Sequence, residues 1–290
     1  MERPRMAKTA SPLIDPQTGV RPLTAHEFEK ISRLAYEKFG LELKPGKQEL
    51  VSARLGKKVR AAGCRSFDEY YQSVVADATG EALIELIDAL ATNFTDFMRE
   101  PAHFEFLRQE ALTRWAKRDR VRLWSTACST GEEPYSIAFA LLDALGSASR
   151  PRLEIVATDI SSRALEHAKR GIYPAARLAK LPPTWQRSFF LRGEGKWQGH
   201  YRVKPEVAAL IQFRRLNLNE PFSHPEAFSV ILCRNVMIYF DRATQQRLVR
   251  QLASQLEPGG YLLIGHSESL TAIDHPLSYV RPTIYRRSAS

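Results

Sequence analysis

Apolar residues recur along the chain at two different periods, and the change falls near position 120. From Thr24 to about Asn93 the spacing is helical, with Phe28, Ile31, Leu34 and Ala35 on one face of a first helix. Thr24-Ala-His-Glu27 in front of them has the form of a capping box, and Gly40 stands where a C-terminal stop is expected. A second helix is predicted from about Pro45 to Ala62, stopped by Gly63. Ser66-Phe-Asp-Glu69 opens a third, and EALIELIDALATN supplies a fourth. Four short helices with brief connections predict a small bundle, with no strand-like alternation before position 120.

After that position the runs RVRLWSTA, RLEIVATD, AFSVILCRN and GGYLLIGHSE are short and apolar, and each ends in small or polar residues. Helical stretches such as PYSIAFALLDAL and SRALEHAKRG lie between them. This alternation predicts an α/β domain built on a mostly parallel sheet with helices on both faces. The region from about Leu178 to Val207 breaks it, because SFFLRGEGKWQGHYRV is two strand-like pieces around a glycine-bearing turn, an expected antiparallel β insertion. SYVRPTIYRR reads as one last strand, antiparallel to the rest. The expected organisation is a loose tail over 1–22, a helical domain over 23–92 and the α/β domain over 93–290, interrupted at about 178–207.

Composition changes the picture in one respect. Of 290 residues, 42 are Lys or Arg and 32 Asp or Glu, a net charge of +10 that implies an acidic partner. Residues 1–92 carry 14 basic and 13 acidic side chains, so nearly all of the surplus lies in the α/β region. The second helix is nonetheless lopsided, with Lys47, Arg54, Lys57, Lys58, Arg60 and nearby Arg65 against Glu49 alone. Lys47, Arg54, Lys58 and Arg65 would form one stripe if the helix ran through them, either a solvated face or a docking stripe for an acidic surface. The 3 cysteines form no CxxC pair and no Cys/His cluster at zinc spacing, so neither a disulfide framework nor a metal is expected. No apolar run approaches a spanning helix and the proline-rich opening does not resemble a signal peptide, so a cytoplasmic protein without membrane insertion is expected.

In a doubly wound sheet, ligands bind beyond the carboxyl ends of the strands. The first strand runs into Cys128-Ser-Thr-Gly-Glu-Glu-Pro-Tyr135, where Gly131 permits close backbone approach and free amides would face a ligand. One glycine is not a dinucleotide fingerprint, the GK[ST] of a P-loop is absent, and Glu132 and Glu133 are awkward for phosphate. The second strand ends in Asp159, placed either to accept hydrogen bonds from ribose hydroxyls or to cap the helix begun at Ser161-Ser162. Together these features describe an adenosyl pocket without a pyrophosphate grip, which S-adenosylmethionine fits.

The runs NFTDFMREPAHF, ACSTGEEPYSIAFAL, ATDIS with GIY after its helix, CRNVMIYFD and LEPGGYLLIGHSESL resemble, in order, the CheR-type chemotaxis receptor methyltransferases. The similarity extends from about Thr24 to Arg286. It implies a Rossmann-like S-adenosylmethionine-dependent methyltransferase domain preceded by an all-α domain, and esterification of chemoreceptor glutamates with S-adenosylhomocysteine as product. By this resemblance Asn93, Thr95 and Arg99 belong to the cofactor-contacting segment, and Arg99 also faces the reacting centre. Glu133 would hold the methionyl amino group, Asp159 the ribose, and Asn217-Leu218 the adenine. Arg234-Asn235 would form the strand-end wall, with Tyr239 near the methyl group. Arg99 and Tyr239 are the catalytic candidates. Met98 departs from the family, which commonly has a second Phe there, and Met is soft enough to fill that volume.

A glutamate carboxylate, with an ordinary pKa of about 4.3, is already an anion at neutral pH, so its methylation needs no general base. Catalysis then reduces to proximity, alignment and exclusion of water. Gly265-His266-Ser267-Glu268 looks like hydrolase chemistry, but neighbouring residues at a strand end do not assemble a triad, so a structural or pocket-lining role is expected. The implied partners are the cytoplasmic helical domains of chemoreceptors, met by Arg54, Lys57 and Lys58, and a receptor C-terminal peptide docked on the β insertion. The competing readings are a nucleic-acid methyltransferase, against which RNVMIYF stands where [DN]PP[YF] would be required, and a catalytically silent receptor-docking homologue.

Overall fold

A computed structural model describes residues 20–90, 94–146 and 151–289. The expected tail, but for its last three residues, and Asn93 lie outside the described residues. The chain divides into two compact units, one comprising 1–37 and 42–92, the other 38–41 and 93–290.

The first unit is helical: α1 (Ala25–Phe39), α2 (Gln48–Ala61), α3 (Phe67–Ala76) and α4 (Glu81–Leu90). Each buries an apolar stripe: Phe28, Ile31 and Leu34 on α1, as read from the sequence, Val51, Leu55 and Val59 on α2, Phe67 and Val74 on α3, and Leu86, Ile87 and Leu90 on α4. The Thr24 box forms: the Glu27 amide donates to Thr24 Oγ1 at 3.3 Å, and Glu27 Oε2 accepts from the Thr24 amide at 2.9 Å. Glu27 does more than cap, since its Oε1 also takes Arg21 at 2.6 Å and the amide of Asp68 on α3 at 3.0 Å. The basic stripe on α2 is shorter than its spacing suggested. The helix begins after Lys47 and ends at Ala61, which leaves Arg65 beyond it, and Lys58 reaches Glu85 at 2.9 Å.

The second unit follows in chain order as α5 (Pro101–Glu110), β1 (Arg120–Ser125), α6 (Glu132–Leu145), β2 (Arg152–Asp159), α7 (Ser162–Arg170), β3 (Ile172–Pro174), α8 (Pro183–Phe189), β4 (Phe190–Arg192), β5 (His200–Val203), α9 (Pro205–Ala208) and β6 (Ile211–Arg215). It closes with β7 (Phe228–Cys233), α10 (Arg242–Ser254), β8 (Leu256–Ile264), β9 (Leu277–Arg281) and β10 (Ile284–Arg287). The main sheet has the order β6-β2-β1-β7-β8-β10-β9. Its first five strands are parallel, while β10 pairs antiparallel with both β8 and β9. The architecture is therefore Rossmann-like, with an antiparallel edge. The expected single last strand is a hairpin, turned at Pro282-Thr283 where Thr283 takes φ +64°. A strand that the sequence reading did not mark, β6, closes the other edge, its short IQFRR run offering only two apolar positions. Two apolar cores pack the sheet, one around Phe97, Phe139 and Tyr173, the other around Trp124, Phe228 and Leu248.

The insertion is a three-stranded antiparallel sheet ordered β3-β5-β4. It draws one strand, Ile172–Pro174, from before the predicted window, because Tyr173 pairs with Tyr201 and is itself buried in the main core. Gly193 is required at its turn, since a Cβ there would lie 2.8 Å from that of Trp197.

Burial raises the Glu27 carboxyl, but its Thr24, Asp68 and Arg21 partners outweigh this and hold the pKa below the ordinary 4.5. A depressed folded-state pKa contributes stability that is complete above the unfolded value and lost as pH falls through the folded one. Glu27→Gln is therefore expected to cost about 1–3 kcal/mol near neutral pH, with a loss that shrinks below about pH 4 in urea unfolding at several pH values. A loss independent of pH would show that the charge is not what matters.

Candidate functional site

Strand order reverses at β1, whose chain successor in the sheet, β2, lies to one side while β7 lies to the other. The crevice beyond the carboxyl ends of β1 and β7 is thus where an open α/β sheet binds ligands. Each strand delivers one charged group there. Arg234 follows β7, and Glu133 stands in the first turn of α6 after the β1 loop.

Arg234 is buried and makes an ion pair of 2.8 Å with Glu133 and another of 3.2 Å with Glu100, and its guanidinium also donates to the Arg99 carbonyl. Ser125 Oγ donates to the other oxygen of Glu133 at 2.7 Å. Burial pushes the Glu133 carboxyl up, against the pull of Arg234 and Ser125. Glu100 is also pushed up by burial, but Arg234, the His266 amide and the Asn235 side chain together hold it below the ordinary carboxylate range. The adjacent Glu132 has a different task. It is fully buried, takes Thr130 Oγ1 at 2.6 Å and pairs with Arg177, which donates from the same nitrogen to the Thr95 carbonyl at 2.6 Å.

The β1 loop is shaped by Gly131 at φ +98°, where a Cβ would come within 2.7 Å of the Ala168 Cβ and 2.9 Å of the Tyr173 hydroxyl. Its amides are not all turned outward as the sequence suggested. That of Ser129 donates to Asp159 Oδ2 at 2.7 Å and that of Gly131 to the Cys128 carbonyl at 2.9 Å. Asp159, at the end of β2, takes the Ser161 amide on its other oxygen at 2.9 Å, while Ser161 itself caps α7. The carboxylate is thereby anchored at the strand end rather than used as the helix cap.

Among the described residues, five that are not glycine have positive φ, and four of them line these segments: Met98 (+56°) and Glu100 (+60°) on either side of Arg99, Ser129 (+49°) in the β1 loop, and Asn235 (+57°) after β7. Such conformations cost roughly 1–3 kcal/mol each and persist only where neighbours impose them. At Asn235 the neighbour is Glu268, which accepts the amides of Asn235, Val236, Met237 and Gly265 at 2.6–3.0 Å. Burial raises the Glu268 carboxyl, and those four amides oppose it. The turn that they fix carries Tyr239, half-buried in a short 3-10 helix over Met237–Tyr239. Arg99 donates to the Phe94 carbonyl at 2.9 Å and lies 5.6 Å over the Phe94 ring.

The structure thus ties Arg99, Glu133, Arg234 and Asn235 into one network, links Thr95 to it through Arg177 and α6, and sets Asp159 against the same loop. Asn217 and Leu218 follow β6 and have partners of their own. The Asn217 amide donates to the Lys38 carbonyl at 2.9 Å and to Glu220 at 2.8 Å, and Leu218 is buried in the second core. Arg54, Lys57 and Lys58 belong to α2 in the other unit, and of these three Lys57 is exposed while the other two are half-buried. Sequence reasoning missed Glu100, Arg177 and the organising role of Glu268. The last had a signal, an acidic residue in the short turn after a buried strand, where unpaired backbone amides collect.

Two family models cover almost the whole described chain: a CheR methyltransferase all-alpha domain over residues 26–91, and a CheR methyltransferase SAM binding domain over 93–285. The chain belongs to the CheR methyltransferase family. A chemotaxis protein methyltransferase of Klebsiella aerogenes is 41% identical over 265 residues, 91% of this chain and 90% of that protein. Chemotaxis protein methyltransferase 2 of Pseudomonas aeruginosa is 39% identical over 90% of this chain and 93% of its own length, and the Escherichia coli protein is 38% identical over 92% of each. The α/β unit is accordingly a methyltransferase domain that binds S-adenosylmethionine. Its donor set suits that molecule, with carboxylates at the ends of β2 and β1 for hydroxyl and ammonium groups and a strained loop that lets the backbone come close.

Removing the Arg234 guanidinium leaves Glu133 and Glu100 as largely buried charges without their cation. Arg234→Met is expected to destabilise the α/β unit by about 3–5 kcal/mol, read from the urea midpoint, and adding Glu133→Gln to recover part of that loss. Equal losses in the single and double variants would show that the two charges are not coupled.

Proposed function

We propose that the chain transfers the methyl group of S-adenosylmethionine to glutamate side chains of chemoreceptors in the cytoplasm, giving methyl esters. The observation that supports this is that the glutamates of the crevice are already engaged, Glu133 and Glu100 with Arg234 and Glu268 with backbone amides, which leaves the nucleophile to the substrate. A carboxylate nucleophile needs none. The relatives' shared name, chemotaxis protein methyltransferase, points to the same substrates.

When bound, S-adenosylmethionine supplies a methyl group on a sulfonium, which carries its own leaving group. Thr95, Arg99, Glu133, Asp159, Asn217, Leu218, Arg234 and Asn235, with Asn93, would hold it. Glu133 and Asp159 provide the anions for the ammonium and ribose hydroxyls, and Arg99 or Arg234 the cation for the carboxylate. Arg99 and Tyr239 hold and orient the incoming glutamate with a cation and a hydroxyl, so that the chain's contribution is alignment in a site closed to water. Neither is asked to move a proton. Arg99 is suited to this by its setting, since strained residues on both sides and the Phe94 carbonyl fix its position.

On α2, Lys57, Arg54 and Lys58 would meet acidic receptor helices, and the β3-β5-β4 sheet offers an edge strand, β4, with Leu191 and nearby Trp197 exposed, to a receptor-tail peptide. Among the described residues no helix is long and apolar enough to cross a membrane, which is consistent with a partner reached from the cytoplasm.

Incubation with methyl-labelled S-adenosylmethionine and receptor-bearing membranes is expected to give base-labile label on protein, and Tyr239→Phe to lower kcat by about tenfold or more with little change in cofactor affinity. Label that is stable to base, or found on added nucleic acid, would overturn the ester reading. Lys57→Glu with Lys58→Glu is expected to raise the KM for receptor and to flatten its dependence on salt while cofactor binding stays unchanged. Weakened cofactor binding in that variant would show instead that α2 is structural.

A further inference from the structure

At the edge of the network described above, Glu100 meets two histidines that have no assigned task. Glu100, His103 and His266 each bring one ligating atom to within 4.8 Å of the others. Nδ1 of His103 is 3.5 Å from Glu100 Oε2, and Nε2 of His266 is 3.8 Å from the same oxygen. His103 is 1% exposed, yet its Nδ1 has no hydrogen-bond partner. A buried ring nitrogen facing a carboxylate without a donor between them is a feature that native structures rarely leave unexplained.

The tautomer follows from the other side of the ring. Nε2 of His103 is 2.7 Å from Thr283 Oγ1, and that hydroxyl donates its own proton to the Pro282 carbonyl at 2.6 Å. Thr283 Oγ1 therefore accepts, Nε2 carries the hydrogen, and Nδ1 presents a bare lone pair toward the Glu100 oxygen. With the ring in that tautomer, a cation between the two lone pairs relieves their opposition. A backbone outlier holds the arrangement, since Thr283 sits at φ +64° in the β9–β10 turn. Outer partners that fix the tautomer of a histidine in this way accompany metal-ligating imidazoles.

We propose that Glu100, His103 and His266 form a binding site for a divalent transition-metal ion of the zinc class. Two imidazoles and one carboxylate are a borderline donor set that zinc accepts. Its tetrahedral geometry, with bonds of about 2.0–2.2 Å, places neighbouring ligand atoms roughly 3.3–3.5 Å apart. The spacings of 3.5 and 3.8 Å come close to that, and the longer one involves His266, whose side chain is 55% exposed and free to swing inward. The same exposure gives the ion a path of entry and leaves a fourth position for water or another ligand. The local charge is mixed: Glu100 faces the His103 ring, while the guanidiniums of Arg234 and Arg281 act on that same ring. Arg234 is also the competitor, 3.2 Å from the oxygen that the metal would share. Metal binding therefore loosens the Glu100–Arg234 pair and is felt at Glu133.

The test is metal binding by the full chain, after treatment with a chelator, in the absence of any substrate. Titration with zinc alone against a chromophoric chelator is expected to show one strong site, and cobalt in its place to give the visible absorption of a four-coordinate nitrogen and oxygen environment. His266→Ala, at an exposed ring, is expected to keep the fold by circular dichroism and to weaken zinc binding by at least about tenfold. Thr283→Val retains all three ligands and is expected to weaken it by a smaller factor. The thiols are present in every variant, so the difference isolates the cluster. No stoichiometric zinc in the parent, or undiminished binding in a folded His266→Ala variant, overturns the proposal.

Discussion

Everything in the crevice is arranged around one buried cation. A guanidinium taken out of water is tolerated only if its donors are all met and its charge is balanced, and Arg234 meets this condition with carboxylates from two directions and a carbonyl from a third. The two carboxylates come from segments far apart in the chain, Glu100 before α5 and Glu133 on α6. Pairing both fixes the ends of β1 and β7 and the approach to α5 relative to each other. The ligand-binding end of the sheet is thus organised by electrostatics, while the strands beneath are held by apolar packing.

The same region stores backbone strain. Glycine at Gly131 relieves it where α7 and Tyr173 leave no room for a Cβ. At Met98, Glu100, Ser129 and Asn235 no glycine is present, and side-chain partners impose the conformation instead. Glu268 is the clearest case, because a single carboxylate collects four backbone amides and thereby sets the turn that carries Tyr239. Its neighbours in sequence make the segment look like hydrolase machinery. Its hydrogen bonds make it a clamp, and His266 next to it contributes a backbone amide to Glu100 at 3.2 Å.

Adjacent glutamates after β1 show how position on a helix divides labour. Side chains one residue apart point about 100° away from each other, so Glu132 turns to Thr130 and Arg177 while Glu133 turns to Ser125 and Arg234. The first anchors the segment that follows Thr95, and the second faces the crevice.

By itself the sequence determined the helical leader, the strand and helix alternation, the caps at Thr24 and Ser66, and the polar residues that follow the buried strands. These rest on local rules, namely hydrophobic period, capping chemistry and the placement of polar residues after buried runs. The family resemblance in long motifs added the class of reaction, methyl transfer from S-adenosylmethionine. Only the tertiary structure decided which charges meet. Glu100 and Arg234 are separated by more than a hundred residues, Arg177 finds Glu132 across the start of the insertion, and Thr283 orients His103 from the last hairpin. The third strand of the insertion and the strand at Ile211–Arg215 escaped notice for a related reason, since a short strand is defined less by its own composition than by the neighbour whose hydrogen bonds it completes. Periodicity is a property of a segment. An ion pair or a tautomer is a property of two segments and the fold that brings them together.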